Sequence, residues 1–408
     1  MRSSRSHLLA PSTSRRRTPA AHSGRRPTMV ALVATLVLLS GCKTPDFVGR
    51  RYSNFTAYYN TFYNAERQFE KGYENLDRFE DKVDREQYLP LFVKTTGTSA
   101  SREFEQTILK SADILREHPE SKWVDDALML IGKSYFYQEN YVGAVQKFSE
   151  ILDQQTDLRD EAQFWLARSL MTSGAYNEAL EVLTLAMATE GADAQWIAQD
   201  RLLLAELAIR QEQWEDAAGH LEAGLASVKD KELAARASFL LGQVHETLGN
   251  YDRAYAAYAD VPSYRAPYEL EYAAEYSAVR IDGLYLNPER ALRDVRRLER
   301  DDKNLVKTAE LRYLRARILY VAGEADEAVL TFDELLYDPL SLPPGASIGE
   351  LRGRIHYALA ELYRDVDRDF LMAAAHFDTA AAALGGGSGG RNARRSGALA
   401  EMAPAPEA

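Results

Sequence analysis

Apolar residues recur every three or four positions through the middle of the chain. Ala127, Leu130, Ile131, Ser134 and Tyr135 trace one such stripe, the spacing of an amphipathic helix; a half-buried strand would alternate instead. The stripes break at Glu139-Asn140, Ser173-Gly174 and Leu248-Gly249-Asn250, residues that favour turns. The pattern predicts short helices joined by tight turns, an all-α chain.

A longer rhythm lies over the short one. Four windows share a skeleton: a small residue, an aromatic or apolar residue three later, a turn with an aromatic, then Ala and a bulky residue. They run Gly132, Tyr135, Tyr141, Ala144, Phe148; then Ala167, Leu170, Tyr176, Ala179, Leu183; then Ala205, Ala208, Trp214, Ala217, Leu221; then Gly242, His245, Tyr251, Ala254, Tyr258, closed by Pro262. The small residues Gly132, Ala167, Ala205 and Gly242 are 35, 38 and 37 positions apart. Three looser windows follow. One holds Ala278, Ile281, Ala291 and Val295, with Asn287-Pro288 opening its second helix; the next holds Ala316, Leu319, Gly323, Ala328 and Phe332. The last, Ala360, Tyr363, Phe370, Ala373 and Phe377, fits with one extra residue in its turn, after a Pro-rich connection from Asp338-Pro339 to Gly345.

This skeleton resembles the tetratricopeptide repeat family. The resemblance implies a right-handed α-solenoid of helix-turn-helix units. A lone pair of short helices cannot bury its apolar stripes, so small residues let the backbones cross closely and stacked units share one core. About seven repeats then span 121–384, and an atypical pair over 53–120 leads them. Its helices are expected from Phe55 to about Phe79 and from Glu103 to Glu117, with 80–101 as a loop. Residues 385–408 open on a Gly/Ser run and lack apolar periodicity, so a disordered tail is expected.

The N-terminus reads as an address. Residues 1–28 are rich in Arg, Ser and Pro, and Met29 to Leu39 is an apolar run. Eleven helical residues rise about 16 Å, roughly half a hydrocarbon core, so the run is too short to span. A basic stretch, a short apolar core and small residues form a secretory signal over 1–41. Leu39-Ser40-Gly41-Cys42 resembles the bacterial lipobox, which implies a lipidated Cys42 and a linker over 42–52. Two or more acyl chains hold a protein to a bilayer permanently. Lys43 stands where an Asp would retain such a lipoprotein at the inner membrane, so the resemblance implies the periplasmic face of the outer membrane.

Charge narrows the partners. The net charge is −12, and losing residues 1–42, with seven Arg and no acid, takes it to −19. Such a body should be repelled by nucleic acid. Cys42 is the only cysteine, so neither a disulfide framework nor a cysteine zinc site can form. His245-Glu246 begins a zinc-protease-like motif, but Gly249 stands where the second ligand belongs, and His245 fills the aromatic position of its repeat. Gly386-Gly387-Ser388-Gly389-Gly390 fits a nucleophile-elbow pattern without the strand and helix that pattern needs. Asp125-Asp126 and Asp301-Asp302 stand at helix starts or turns, where carboxylates favour the dipole. No enzyme, cofactor, metal site or small-molecule substrate is expected.

In the tetratricopeptide family the first helix of each unit supplies the binding surface. Carried onto this chain, that surface comprises Lys133, Phe136, Tyr137, Arg168, Arg210, Arg236, Phe239 and Gln243. Several are basic, which suits an acidic or carboxylate-ended partner segment, although they could equally pair with Glu on neighbouring helices. A second docking face is expected on the aromatic leading helix. There Phe55, Tyr59, Phe62, Phe69, Tyr73 and Leu76 form one stripe, and Tyr58, Asn60, Tyr63 and Asn64 offer exposed Tyr beside Asn. Asn54, Thr56, Ala57, Tyr59, Asn60, Tyr63, Asn64 and Ala65 resemble the start of gliding-motility and type IX secretion lipoproteins of the SprE/PorW type. His118-Pro119-Glu120-Ser121, Asp125-Asp126-Ala127, Gly132 and Tyr135 are similar to the repeat lipoprotein of the β-barrel assembly machinery. Both resemblances imply a scaffold for other envelope proteins or peptide segments, in secretion or outer-membrane protein assembly. An envelope-biogenesis or glycan-binding adaptor is the alternative, and it needs a groove lined by Trp123, Trp165, Trp196 or Trp214.

Overall fold

A computed structural model describes residues 61–76, 83–92, 100–338, 342–349 and 351–385. Cys42, Tyr58, Asn60, the signal and the tail lie outside the described residues. Sixteen α-helices and no strand occur among those described. A leading pair, α1 (Tyr63–Glu74) and α2 (Ser101–Glu117), is followed by seven units. Units one to four are α3 (Val124–Tyr137) with α4 (Tyr141–Leu152), α5 (Arg159–Ser173) with α6 (Tyr176–Ala188), α7 (Ala194–Arg210) with α8 (Trp214–Leu225), and α9 (Lys231–Thr247) with α10 (Tyr251–Asp260). Units five to seven are α11 (Tyr268–Ile281) with α12 (Pro288–Glu299), α13 (Thr308–Val321) with α14 (Ala325–Tyr337), and α15 (Arg352–Leu362) with α16 (Phe370–Gly385). Each helix packs on its neighbours in sequence, which makes the chain a solenoid. Among the described residues no helix is long and apolar enough to cross a membrane.

The repeated skeleton acts at the crossing of the two helices in a unit. Gly132 of α3 meets Phe148 of α4, and Gly242 of α9 meets Tyr258 of α10. A Cβ on either glycine would stand 2.6 Å from the opposing ring, so no larger residue fits. Phe148, Leu183, Leu221, Tyr258 and Phe332, the bulky residues of their windows, are all buried. Within a unit the turn is also repeated. Glu139, Gly174, Glu212, Gly249 and Gly323 have positive φ, each seven positions after the small residue of its unit. Gly174 and Gly249 suit that left-handed conformation because they carry no Cβ.

The later units depart from the rule in a definable way. Unit five turns through a π-helical segment, Asp282–Leu286, and its close contact falls at Gly283, five positions beyond Ala278. A Cβ there would be 2.4 Å from Ile318 of α13. Asn287 then caps α12 by accepting from the Arg290 amide, with Pro288 in the first turn. Unit seven absorbs its extra residue in a second π turn, Tyr363–Asp367, and its left-handed residue is Arg368. A buried Arg317–Glu361 pair at 2.9 Å joins units six and seven.

The leading helix is shorter than its apolar pattern predicts. It ends at Glu74 rather than about Phe79. Asn75 leaves the helical conformation, its N–H returning to the Lys71 carbonyl at 3.1 Å. Leu76 then turns inward and is buried with Phe104 and Phe148 in the first core cluster. Along α1, Phe62 is buried against Trp123, with ring centroids 4.8 Å apart, while Tyr63 is exposed beneath Arg67. Asn64 is half-buried.

Candidate functional site

The first helices of the units, α3, α5, α7, α9, α11, α13 and α15, line an inner groove. A non-helical segment of the same chain, Val83–Phe92, lies in that groove. Pro90 has no N–H and fixes its own φ, which suits extended chain. In extended chain Leu89 and Leu91 share a face. Leu89 is buried with Phe239 and Tyr258, and Leu91 with Leu202, Ala205 and Leu233.

Most of the polar grip is on the segment's main chain. The Leu89 N–H donates to Gln243 Oε1 at 2.9 Å, and Gln243 Nε2 donates back to the Gln87 carbonyl at 2.7 Å. The Leu91 N–H donates to Glu206 Oε1 at 2.7 Å. Arg236 Nε donates to the carbonyls of Pro90 and Leu91 at 3.0 and 3.1 Å. Side chains fix the two ends. Arg85 pairs with Glu310 and lies 3.8 Å above the Tyr276 ring, and Glu86 pairs with Arg354. Tyr88 stacks on Trp214 at 5.2 Å and shares a 2.6 Å hydrogen bond with Thr247. Phe92 packs edge-on to Phe164 at 5.4 Å, under the Arg168 guanidinium at 5.1 Å. Residues 85–92 thus reach units two to seven, with Arg85 and Glu86 on units five to seven, Tyr88 to Leu91 on units three and four, and Phe92 on unit two, broadly opposite to the order of the repeats.

The electrostatics fit an occupied groove. Burial pushes the Glu206 carboxyl up, opposed by the Leu91 amide and by Arg168 and Arg210. Burial works against the Arg85 charge, but Tyr276 and Glu310 outweigh it and hold the guanidinium protonated above its ordinary range. Cavities flank the segment. One of about 260 Å³ lies beside Leu91 and Phe92, lined by Lys133, Tyr137, Trp165, Trp196 and Arg236 among others. One of about 740 Å³ lies beside Arg85 and Glu86, with Tyr272, Lys307 and Arg354 on its walls.

Residues 129–194, 202–268 and 286–345 match the tetratricopeptide repeat family model. Those three stretches, just under half of the chain, carry tetratricopeptide repeats. Among similar solved structures is a tetratricopeptide repeat protein from Parabacteroides merdae, 14% identical, covering 65% of this chain and 94% of its own, at a TM-score of 0.38. A chain of the APC/C hetero-tetramer Cut9–Hcn1 is 12% identical over 71% of this chain and 51% of its own, at 0.34. Human IFIT1, as a dimer with PPP-AAAA, is 13% identical over 69% and 55%, at 0.28. The chain thus spans about half the length of the latter two. No curated protein matches it in sequence.

The residues assigned to the inner face of the tetratricopeptide array divide into three groups. Arg168, Arg236 and Gln243 touch the resident segment. Phe239 lies in the apolar cluster with Leu89, and Lys133 and Tyr137 line the smaller cavity. Phe136 is buried under Arg168, and Arg210 sits 5.9 Å from the Tyr176 ring. The basic residues are engaged as well: Lys133 pairs with Glu161, and Arg236 holds carbonyls. Glu206, Trp214, Thr247, Tyr276, Glu310 and Arg354 were not assigned to the groove, although Glu206 and Arg354 share the repeat register of Gln243 and Arg236. Neither was the segment itself, although Leu89-Pro90-Leu91-Phe92 is an apolar run inside a stretch otherwise read as loop.

Each tryptophan packs against another ring, and Trp165 and Trp196 also line the smaller cavity. Trp165 is buried, with Phe148 stacked on it at 6.2 Å; Trp123 stacks on Phe62, Trp214 on Tyr88, and Trp196 lies 5.4 Å from Phe164. His245 is buried with Nε2 3.5 Å from Glu222. Asp125 and Asp126 fall in the first turn of α3, and Asp301 accepts from the Lys303 amide. Among the described residues, no three His, Cys, Asp or Glu side chains gather as a metal site requires.

Proposed function

We propose that this chain is a non-catalytic scaffold that grips extended segments of other envelope proteins along its inner groove. A lipidated Cys42 would hold it to the periplasmic face of the outer membrane, where it would assist protein secretion or outer-membrane protein assembly. Stacked repeats of this kind generally present a long concave surface to partners. The observation that carries the reading is the grip on residues 85–92, a non-helical segment held across six units mainly through its main chain. The lipobox resemblance supports the anchor, and the leading-helix and repeat resemblances support the two pathways.

Photo-crosslinking from intact envelopes tests this, with the cross-linker placed at Gln199 on the smaller cavity. Recovery of secretion-channel or barrel-assembly subunits is expected, together with lipid on Cys42 by mass spectrometry. Recovery of glycan-processing proteins alone would favour the adaptor alternative.

A further inference from the structure

We propose that Val83–Phe92 is a resident stand-in for the partner segment, and that the partner binds by displacing it. The occupant is an extended stretch with an arginine followed, four residues on, by Leu-Pro-Leu and an aromatic. This rests on the scaffold reading and adds the ligand's grammar and a competition built into the chain.

The floor of the groove is chemically unlike the seams between helices. Glu206, Arg236 and Gln243 meet the segment as a carboxylate, a guanidinium and an amide. A permanent filler would be more stable leucine against leucine, since a buried polar group stabilises only when its hydrogen bonds are met. The polar part of the floor is tolerable when wet, whereas the apolar sockets of Leu89 and Leu91 need refilling, so the segment leaves as an incoming chain takes its place. The helices also pack directly on one another. Phe148, Leu183, Leu221 and Tyr258 are buried at helix-to-helix seams.

The selectivity is divided. The amides of Leu89 and Leu91 and the carbonyls of Gln87 and Pro90 are groups that any extended chain containing proline at that place can offer. Side-chain identity is read at the Arg85 slot between Glu310 and Tyr276, at the Leu89 and Leu91 sockets, and at Phe92. The larger cavity, beside Arg85, gives an incoming chain longer than the resident a place to begin.

The test is anisotropy with a labelled, end-capped peptide of sequence Arg-Glu-Gln-Tyr-Leu-Pro-Leu-Phe, titrated with the full chain and with an L89D/L91D chain whose own segment is loosened. Removing a competitor that fills the groove most of the time should tighten peptide binding by about tenfold or more. Adding Q243A and R236A to the loosened chain should abolish binding. So should N-methylation of the peptide at its two leucines. An R85A/E86A chain, altered only at the outer ion pairs, guards against misfolding and should give a smaller gain in the same direction. Equal binding to all chains, or none to loosened chains of unchanged helical circular dichroism, would overturn the proposal and make the segment an integral part of the fold. Envelope partners cross-linked only outside the groove, with the peptide failing, would overturn the displacement while leaving the scaffold. Peptide binding without any envelope partner would support the displacement and count against the scaffold.

Discussion

The same helices build two surfaces by different means. At the seams, Gly132 meets Phe148 and Gly242 meets Tyr258, so shape alone decides the fit. In the groove, Gln243, Glu206 and Arg236 hold a peptide by hydrogen bonds to its main chain. The seam has one solution repeated along the chain, whereas each groove contact occurs once. Stability belongs to the first surface and recognition to the second, and substitutions should separate them.

The largest effect is expected at a seam. Gly242→Val places carbon against the Tyr258 ring and should cost about 3 kcal/mol, read by chemical denaturation, because a packed crossing cannot relax around an added group. A cost below about 1 kcal/mol would mean the crossing is loose.

Two buried groups give smaller effects of opposite sign in pH. Asp200 of α7 is buried with one oxygen lacking a hydrogen-bond partner. Burial, and then Asp160, push its carboxyl from 3.8 up to about 7. The folded state therefore holds a proton that the unfolded state releases, and stability falls as pH rises between those values. Asp200→Asn should remove that slope and gain on the order of 2 kcal/mol at pH 8. An unchanged slope would place the carboxyl elsewhere. In unit seven, His356 and His376 face each other with Nδ1 atoms 3.0 Å apart. Burial lowers both, with the facing His376 and Arg352 adding to it for His356 and Asp333 opposing it for His376. Their contribution is present above the ordinary imidazole value and is lost as pH drops below it. Hydrogen-exchange protection, taken relative to the intrinsic rate at each pH, should fall in α15 and α16 between pH 7.5 and pH 5 while α3 to α6 hold, and a uniform fall would contradict this.

The smallest effect on stability is expected in the groove. Gln243→Ala should change global unfolding by about 1 kcal/mol or less, the net worth of such hydrogen bonds. Its peptide-binding defect in a loosened chain should be far larger. Comparable losses in both would erase the distinction between the surfaces.

This difference also explains what could be read beforehand. Gly132, Tyr135, Tyr141, Ala144 and Phe148 recur because every unit solves the same packing problem, so the repeats and their turns were legible. Unit five was less so, because its π turn moves the close contact from Ala278 to Gly283. Arg168, Arg236 and Gln243 could be assigned to the inner face from repeat register alone. Glu206 and Arg354 stand in the same register as Gln243 and Arg236, one after and six before the small residue of their units; what no period encodes is their partners, Leu91 and Glu86, more than a hundred positions away.

The central claim is that the groove holds a non-helical peptide by its main chain, and the amides of Leu89 and Leu91 report it directly. Residue-resolved hydrogen exchange on the full chain should find both strongly protected although they lie outside any helix. A Gln243→Ala, Glu206→Ala chain should release them while α5, α7 and α9 stay protected. Exchange of both amides at unfolded rates in the unaltered chain would contradict the account.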